Sequence, residues 1–93
     1  MSRGLGTVQR RVLAILEAGE LLDSITVAGL VYGQQTITPA QAASVRRALR
    51  LLATAGRIAD LGRGWHSGRR MWATPERAAA YKERVRRVFG PMT

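Results

Sequence analysis

The chain has 93 residues, of which 15 are basic, 6 acidic and 46% hydrophobic; its net charge is +9 and it holds no cysteine. That length makes one domain with a modest core, and the apolar content excludes a disordered polymer. Without cysteine there are no disulfides and no thiol chemistry, which suits the cytoplasm. No stretch approaches the ~20 apolar residues that cross a bilayer, and Met1-Ser2-Arg3-Gly4 opens no apolar run of the signal-peptide kind.

The charge is one-sided. Residues 1–45 carry three basic groups (Arg3, Arg10, Arg11) against three acidic ones (Glu17, Glu20, Asp23). Residues 46–93 carry twelve against three, and so hold the whole +9. Fourteen of the fifteen basic residues are arginine. A one-sided basic surface favours a polyanion, because each phosphate contact releases condensed counterions. An anionic membrane surface, or a merely solubilising coat, is the competing reading.

The elements are predicted in the order helix, helix, helix, hairpin, helix. The first helix runs from about Thr7, its cap, to Ala18. Val8, Val12, Ile15 and Leu16 form its apolar stripe, and Gly19 suits a left-handed exit. The second is short, about Val27 to Tyr32, capped by Thr26 and stopped by Gly33. Val27, Leu30 and Val31 are its expected buried face, and Ile25 is placed to staple onto Leu30. Gly29 either permits close packing or weakens the segment.

Gln34-Gln35-Thr36-Ile37 reads as a connector. The third helix opens with Thr38 as cap and Pro39 at its first position, and runs to about Ala55, closed by Gly56. Val45, Ala48, Leu49 and Leu52 share one face. At 100° per residue the opposite face holds Ala43, Arg46, Arg47, Arg50 and Thr54. Two strands follow, about Arg57–Leu61 and Arg69–Ala73, around the glycine-rich 62–68 loop, with Ile58, Met71 and Trp72 as anchors. Thr74-Pro75-Glu76 starts a last helix that runs to about Phe89. Its stripe is Ala78, Tyr81, Val85, Val88 and Phe89, with Lys82, Arg84, Arg86 and Arg87 mainly outside it.

The run Ser44 to Ile58, with Leu49, Leu52 and Gly56 in a Leu-x2-Leu-x3-Gly pattern, resembles the recognition helix of a winged helix-turn-helix domain as it leads into the wing. Met71-Trp72-Ala73-Thr74-Pro75-Glu76 is similar to the wing's return strand and the start of a final helix in winged-helix repressors. The two cues together cover roughly residues 7–89. The stretch from Gly33 to Ser44 is long for the family's tight turn, which leaves an extended loop or a late-starting third helix. The resemblance implies a mostly α fold with a small β-hairpin: a three-helix core, a wing and a C-terminal helix. It implies double-stranded DNA as partner, with Arg46, Arg47 and Arg50 at bases or phosphates and Gln41 and Ser44 as weaker candidates. The wing would add Arg63, Arg69 and Arg70, and Trp65, which either stacks on the nucleic acid or folds back on the hairpin.

A helix fits the major groove, and arginine can donate two hydrogen bonds to guanine. A transcriptional regulator associated with the nucleoid is therefore the first expectation. An architectural protein that coats DNA and a winged-helix protein–protein module are the alternatives. No catalytic constellation, phosphate loop or metal-ligand spacing is recognisable, and His66 is the single histidine, so neither enzyme activity, a cofactor nor a metal is expected. Tyr81, Val85, Val88 and Phe89 either pair two copies into a homodimer, matched to half-sites about 34–36 Å apart, or pack within one chain.

Overall fold

The computed structural model describes residues 6–19, 21–63 and 69–90. The elements are α1 (Thr7–Ala18), β1 (Leu22–Asp23), α2 (Ser24–Tyr32), α3 (Pro39–Thr54), β2 (Ala59–Arg63), β3 (Arg70–Ala73) and α4 (Pro75–Phe89). The architecture is mostly helical with a small antiparallel sheet of order β1-β3-β2. Three helices enclose the core. Val12 and Leu16 of α1, Val27 of α2, and Val45, Leu49 and Leu52 of α3 are completely shielded from solvent. Ile58 and Trp72 close this core from the sheet side.

The α3 and α4 boundaries follow their start signals. Thr38 accepts from the Gln41 N–H, and Gln41 returns the bond to the Thr38 N–H in a reciprocal capping box, with Pro39 at the first helical position. Thr74 caps α4 through the Arg77 N–H, followed by Pro75. Between α2 and α3, residues 33–38 form an extended connector. Of the two readings of the long turn, the extended loop is the one found, because α3 starts at Pro39. Gly33, with φ +63°, ends α2 in the left-handed region that glycine adopts without strain.

Several expectations for the first two helices need correction. Gly6, not Thr7, is the N-cap of α1, and Gly19 leaves in an extended rather than left-handed conformation, φ −99° and ψ −159°, feeding the chain towards β1. The α1 stripe is rotated: Leu13 is buried and Ile15 only half-buried. α2 begins at Ser24, because the Asp23 carboxylate, not the Thr26 side chain, is its cap and accepts from the Thr26 N–H at 3.2 Å. This earlier start places Ile25 inside the first turn. Ile25 and Leu30 are both more than half exposed, so no staple forms between them, and Ala28 takes the buried place expected of Leu30. Gly29 serves close approach: a Cβ there would meet the Gln34 carbonyl oxygen at 3.2 Å.

β1 was not expected at all. Leu22 pairs with Trp72 and Asp23 with Met71, which adds a third strand to the hairpin and puts β3 in the middle of the sheet. β2 starts at Ala59, two residues later than expected, and Ile58 is a buried anchor ahead of the strand. Met71 is half-buried. Ala59 pairs with Ala73, Asp60 with Trp72 and Arg63 with Arg70, so β2 spends one extra residue between its last two pairings. Gly62, at φ +75°, absorbs this bulge. α4 packs chiefly on β2 and β3. Its root is tied to α1 by the Arg77 guanidinium, which donates to the Leu16 and Glu17 carbonyl oxygens at 2.9 and 2.8 Å. Those carbonyls belong to the last turn of α1, where no helical N–H remains to meet them.

The α3 stripe lies in the fully buried core. Leu49→Ala should lose about 3 kcal/mol in denaturant unfolding, whereas Leu30→Ala, on the exposed side of α2, should lose no more than about 0.5 kcal/mol. Asp23 adds a pH dependence. Its burial alone would raise the carboxyl pKa, but hydrogen bonds from Thr26 and Arg69 outweigh this and hold it below the ordinary value of 3.8. A depressed native pKa stabilises the fold above the unfolded-state value and loses that contribution as pH falls through the native one. Stability should therefore drop as the solution is acidified below about pH 4, and Asp23→Asn should flatten that part of the profile in urea titrations at successive pH values.

Candidate nucleic-acid interface

Rotation of α3 is set by its buried stripe, so its arginines have one direction left. Arg46, Arg47 and Arg50 are exposed, and none has a hydrogen-bond or ion-pair partner among the described residues. Arg46 and Arg50 lie one turn apart on one flank of the outer face; Arg47 lies on the other. On that second flank Arg47, Ser44 and the half-exposed Leu51 border a shallow groove of about 260 Å³ against Thr7, Val8 and Gln9 at the start of α1. Ser44 is half-buried there.

Gln41 is engaged differently from expectation. Its Oε1 accepts from the Thr38 N–H at 3.0 Å, and its Nε2 donates to Gln34 Oε1 at 3.2 Å. Gln34 Nε2 in turn donates to Gln41 Oε1 at 3.3 Å and to the Thr36 carbonyl at 3.0 Å. The two amides clasp each other across the connector and fix the entry to α3. Gln34 was read only as connector sequence. Its partner lies seven residues on, beyond any single-element periodicity, so no pattern in the sequence marks the pair.

The hairpin arginines are held by carboxylates. Arg69 Nη1 meets Asp23 Oδ2 at 3.0 Å, and the Asp23 side chain is only 10% exposed. Arg70 Nη1 meets Asp60 Oδ2 at 2.6 Å, while Asp60 Oδ1 accepts from the Gly62 N–H at 2.8 Å. Asp60 thereby joins the bulge to the opposite strand. Arg63 is exposed at the end of β2. Arg69 and Arg70 keep half or more of their side chains in solvent, 55% and 50%. The Arg70 side chain thus keeps a solvent-facing side beyond its bond to Asp60. Trp65 and His66, in the loop, lie outside the described residues.

α4 carries five basic and two acidic residues. Tyr81 and Val85 are half-buried and Val88 is 69% exposed; the side chain of Phe89 is outside the description. Lys82 and Arg84 flank this stripe at helical spacing, so two α4 helices laid stripe to stripe would face like charges. Glu83 pairs with Arg86 on the solvent side at 3.3 Å.

Among the described residues no group of three or more His, Asp or Glu is placed to hold a metal ion. No described helix is long and apolar enough to cross a membrane. A second groove, about 440 Å³ and widely open, lies between Glu17, Gly56, Arg57 and the start of α4 at Thr74–Arg77. It presents two acidic and two basic side chains, and Arg77 is already bound to α1 there.

The two sets of arginines should separate in stability measurements. Arg46→Ala and Arg50→Ala should leave thermal unfolding unchanged to within about 0.5 kcal/mol, since neither has a partner among the described residues. Arg69→Ala should cost about 1 kcal/mol, because Asp23 then loses a half-exposed partner. Compared with family models, with curated proteins and with solved structures, the chain finds no match.

Proposed function

We propose that this chain is a winged helix-turn-helix domain that binds double-stranded DNA and acts by occupancy as a transcriptional regulator, without catalysis. The observation that carries the reading is the outer face of α3: three exposed arginines without a partner among the described residues, on a helix whose rotation is fixed by a fully buried stripe. A row of solvated guanidiniums with no partner among the described residues is costly in self-repulsion and useful against phosphate and guanine edges. Two further features support it. The chain order α1-β1-α2-α3-β2-β3 with sheet order β1-β3-β2 sets a helix pair ahead of a hairpin. The hairpin arginines Arg69 and Arg70 are oriented by carboxylates yet half open to solvent.

In this reading α3 lies in the major groove, and Arg46, Arg47 and Arg50 contact bases and phosphates. The hairpin, through Arg63, Arg69 and Arg70, follows the backbone or the adjacent minor groove. Ser44 and Gln41 lie near the entry of α3. Gln41 acts with its partner amide rather than alone.

Selection of bound duplexes from a random pool, with the mass of the complex measured alongside, tests the proposal. A regulator should enrich a defined site and prefer it over random duplex by about 10³-fold or more. Arg46→Ala or Arg50→Ala should relax preference at one base position, while Arg63→Ala or Arg70→Ala should weaken all sequences alike. Binding with steep salt dependence and no preference would make the protein a DNA-coating one. No binding at moderate salt would leave only a protein–protein module.

A further inference from the structure

Gln34 and Gln41 form a reciprocal amide pair whose hydrogen-bonding capacity can be counted completely. A primary amide offers two N–H donors and two acceptor lone pairs. Gln41 Oε1 uses both lone pairs, for the Thr38 N–H and for Gln34 Nε2. Gln34 Nε2 uses both hydrogens, on the Thr36 carbonyl and on Gln41 Oε1. Two capacities remain: the second hydrogen of Gln41 Nε2 and the second lone pair of Gln34 Oε1. These two atoms are hydrogen-bonded to each other at 3.2 Å, so the spare donor and the spare acceptor lie side by side on one edge of the pair. The other edge is closed by backbone at both corners. Each amide is also locked against flipping, Gln41 by a backbone donor and Gln34 by a backbone acceptor. The pair is solvent-exposed, in the connector and first turn of the helix that carries Arg46, Arg47 and Arg50.

One donor beside one acceptor is the complement of adenine in the major groove, which offers N7 as acceptor and the N6 amine as donor. Guanine offers two acceptors there, and a cytosine amine or a thymine carbonyl can satisfy only one side. Arginine, which only donates, cannot match the adenine pattern. We propose that the Gln34–Gln41 clasp is an adenine-reading element at the entry of α3: Gln41 Nε2 donates to N7 and Gln34 Oε1 accepts from the N6 amine. This rests on the duplex-binding reading above. The energetic advantage over a free glutamine is preorganisation, because both side chains are already immobilised before contact.

The test uses the full chain and the duplex it selects. Each adenine is replaced in turn by 7-deazaadenine, which lacks the N7 acceptor, and by purine, which lacks the N6 amine. One adenine should lose roughly tenfold in affinity with either replacement, and Gln34→Ala should abolish its sensitivity to both while other positions keep their preference. An adenine sensitive to N7 loss alone would be read by an arginine and would overturn the clasp. So would a site with no sensitive adenine, or a Gln34→Ala protein that keeps the double sensitivity. The scan on the parent chain needs no variant, so it decides even if Gln34→Ala is poorly folded. A parent chain that binds no duplex would instead overturn the function itself.

Discussion

The burial of Val45, Ala48, Leu49 and Leu52 against α1 and α2 is the constraint from which the rest of the molecule follows. Four apolar side chains at helical spacing leave α3 a single stable rotation. Everything on the opposite side, including Arg46, Arg47 and Arg50, is thereby directed outward without needing interactions of its own. The same core supports the sheet, since Trp72 and Ile58 seat the hairpin on the three helices. A basic surface on a rigid element costs no ordering of its backbone at the moment of binding, and this gives such a surface its value for recognition.

Two aspartates translate this frame into the hairpin. Asp23 ends β1, caps α2 and holds Arg69, so one buried carboxylate joins strand, helix and hairpin. Asp60 performs the analogous task further out, holding Arg70 while it secures the Gly62 bulge. In both pairs the arginine side chain is about half exposed and its guanidinium is held by the carboxylate. Removing either acid would add net positive charge yet loosen its geometry. The chain's charge balance therefore understates how deliberately individual cations are placed. α3, with no acidic partner, and the hairpin, with two, represent two ways of presenting arginine.

The elements with strong local signals were readable from the residues. Thr38-Pro39 and Thr74-Pro75 mark the starts of α3 and α4 because cap and ring geometry are decided within a few residues. The α3 stripe was readable because sixteen residues give several turns of periodicity. α2 was misplaced for the opposite reason. It is nine residues long and nearly uniformly apolar, so periodicity cannot choose its buried face. Its true cap, Asp23, also belongs to a two-residue strand that no pattern of alternation can reveal. The Asp23–Arg69 pair spans 46 positions and the Arg77 link to α1 about 60, separations at which only tertiary structure brings charges together. The arginine face of the candidate interface was legible from spacing; the glutamine clasp and the acid-held hairpin arginines were not, since each depends on partners from different elements.

The central claim is that the outer face of α3 is the contact surface for duplex DNA. Titration of isotope-labelled protein with a selected duplex, followed by nuclear magnetic resonance, addresses it directly. The account predicts that the largest shift changes fall on Arg46, Arg47 and Arg50 and on the hairpin arginines, with the buried residues of α1 little affected. Shifts concentrated on α4 or around the groove at Arg57 and Glu76, with α3 unperturbed, would contradict it.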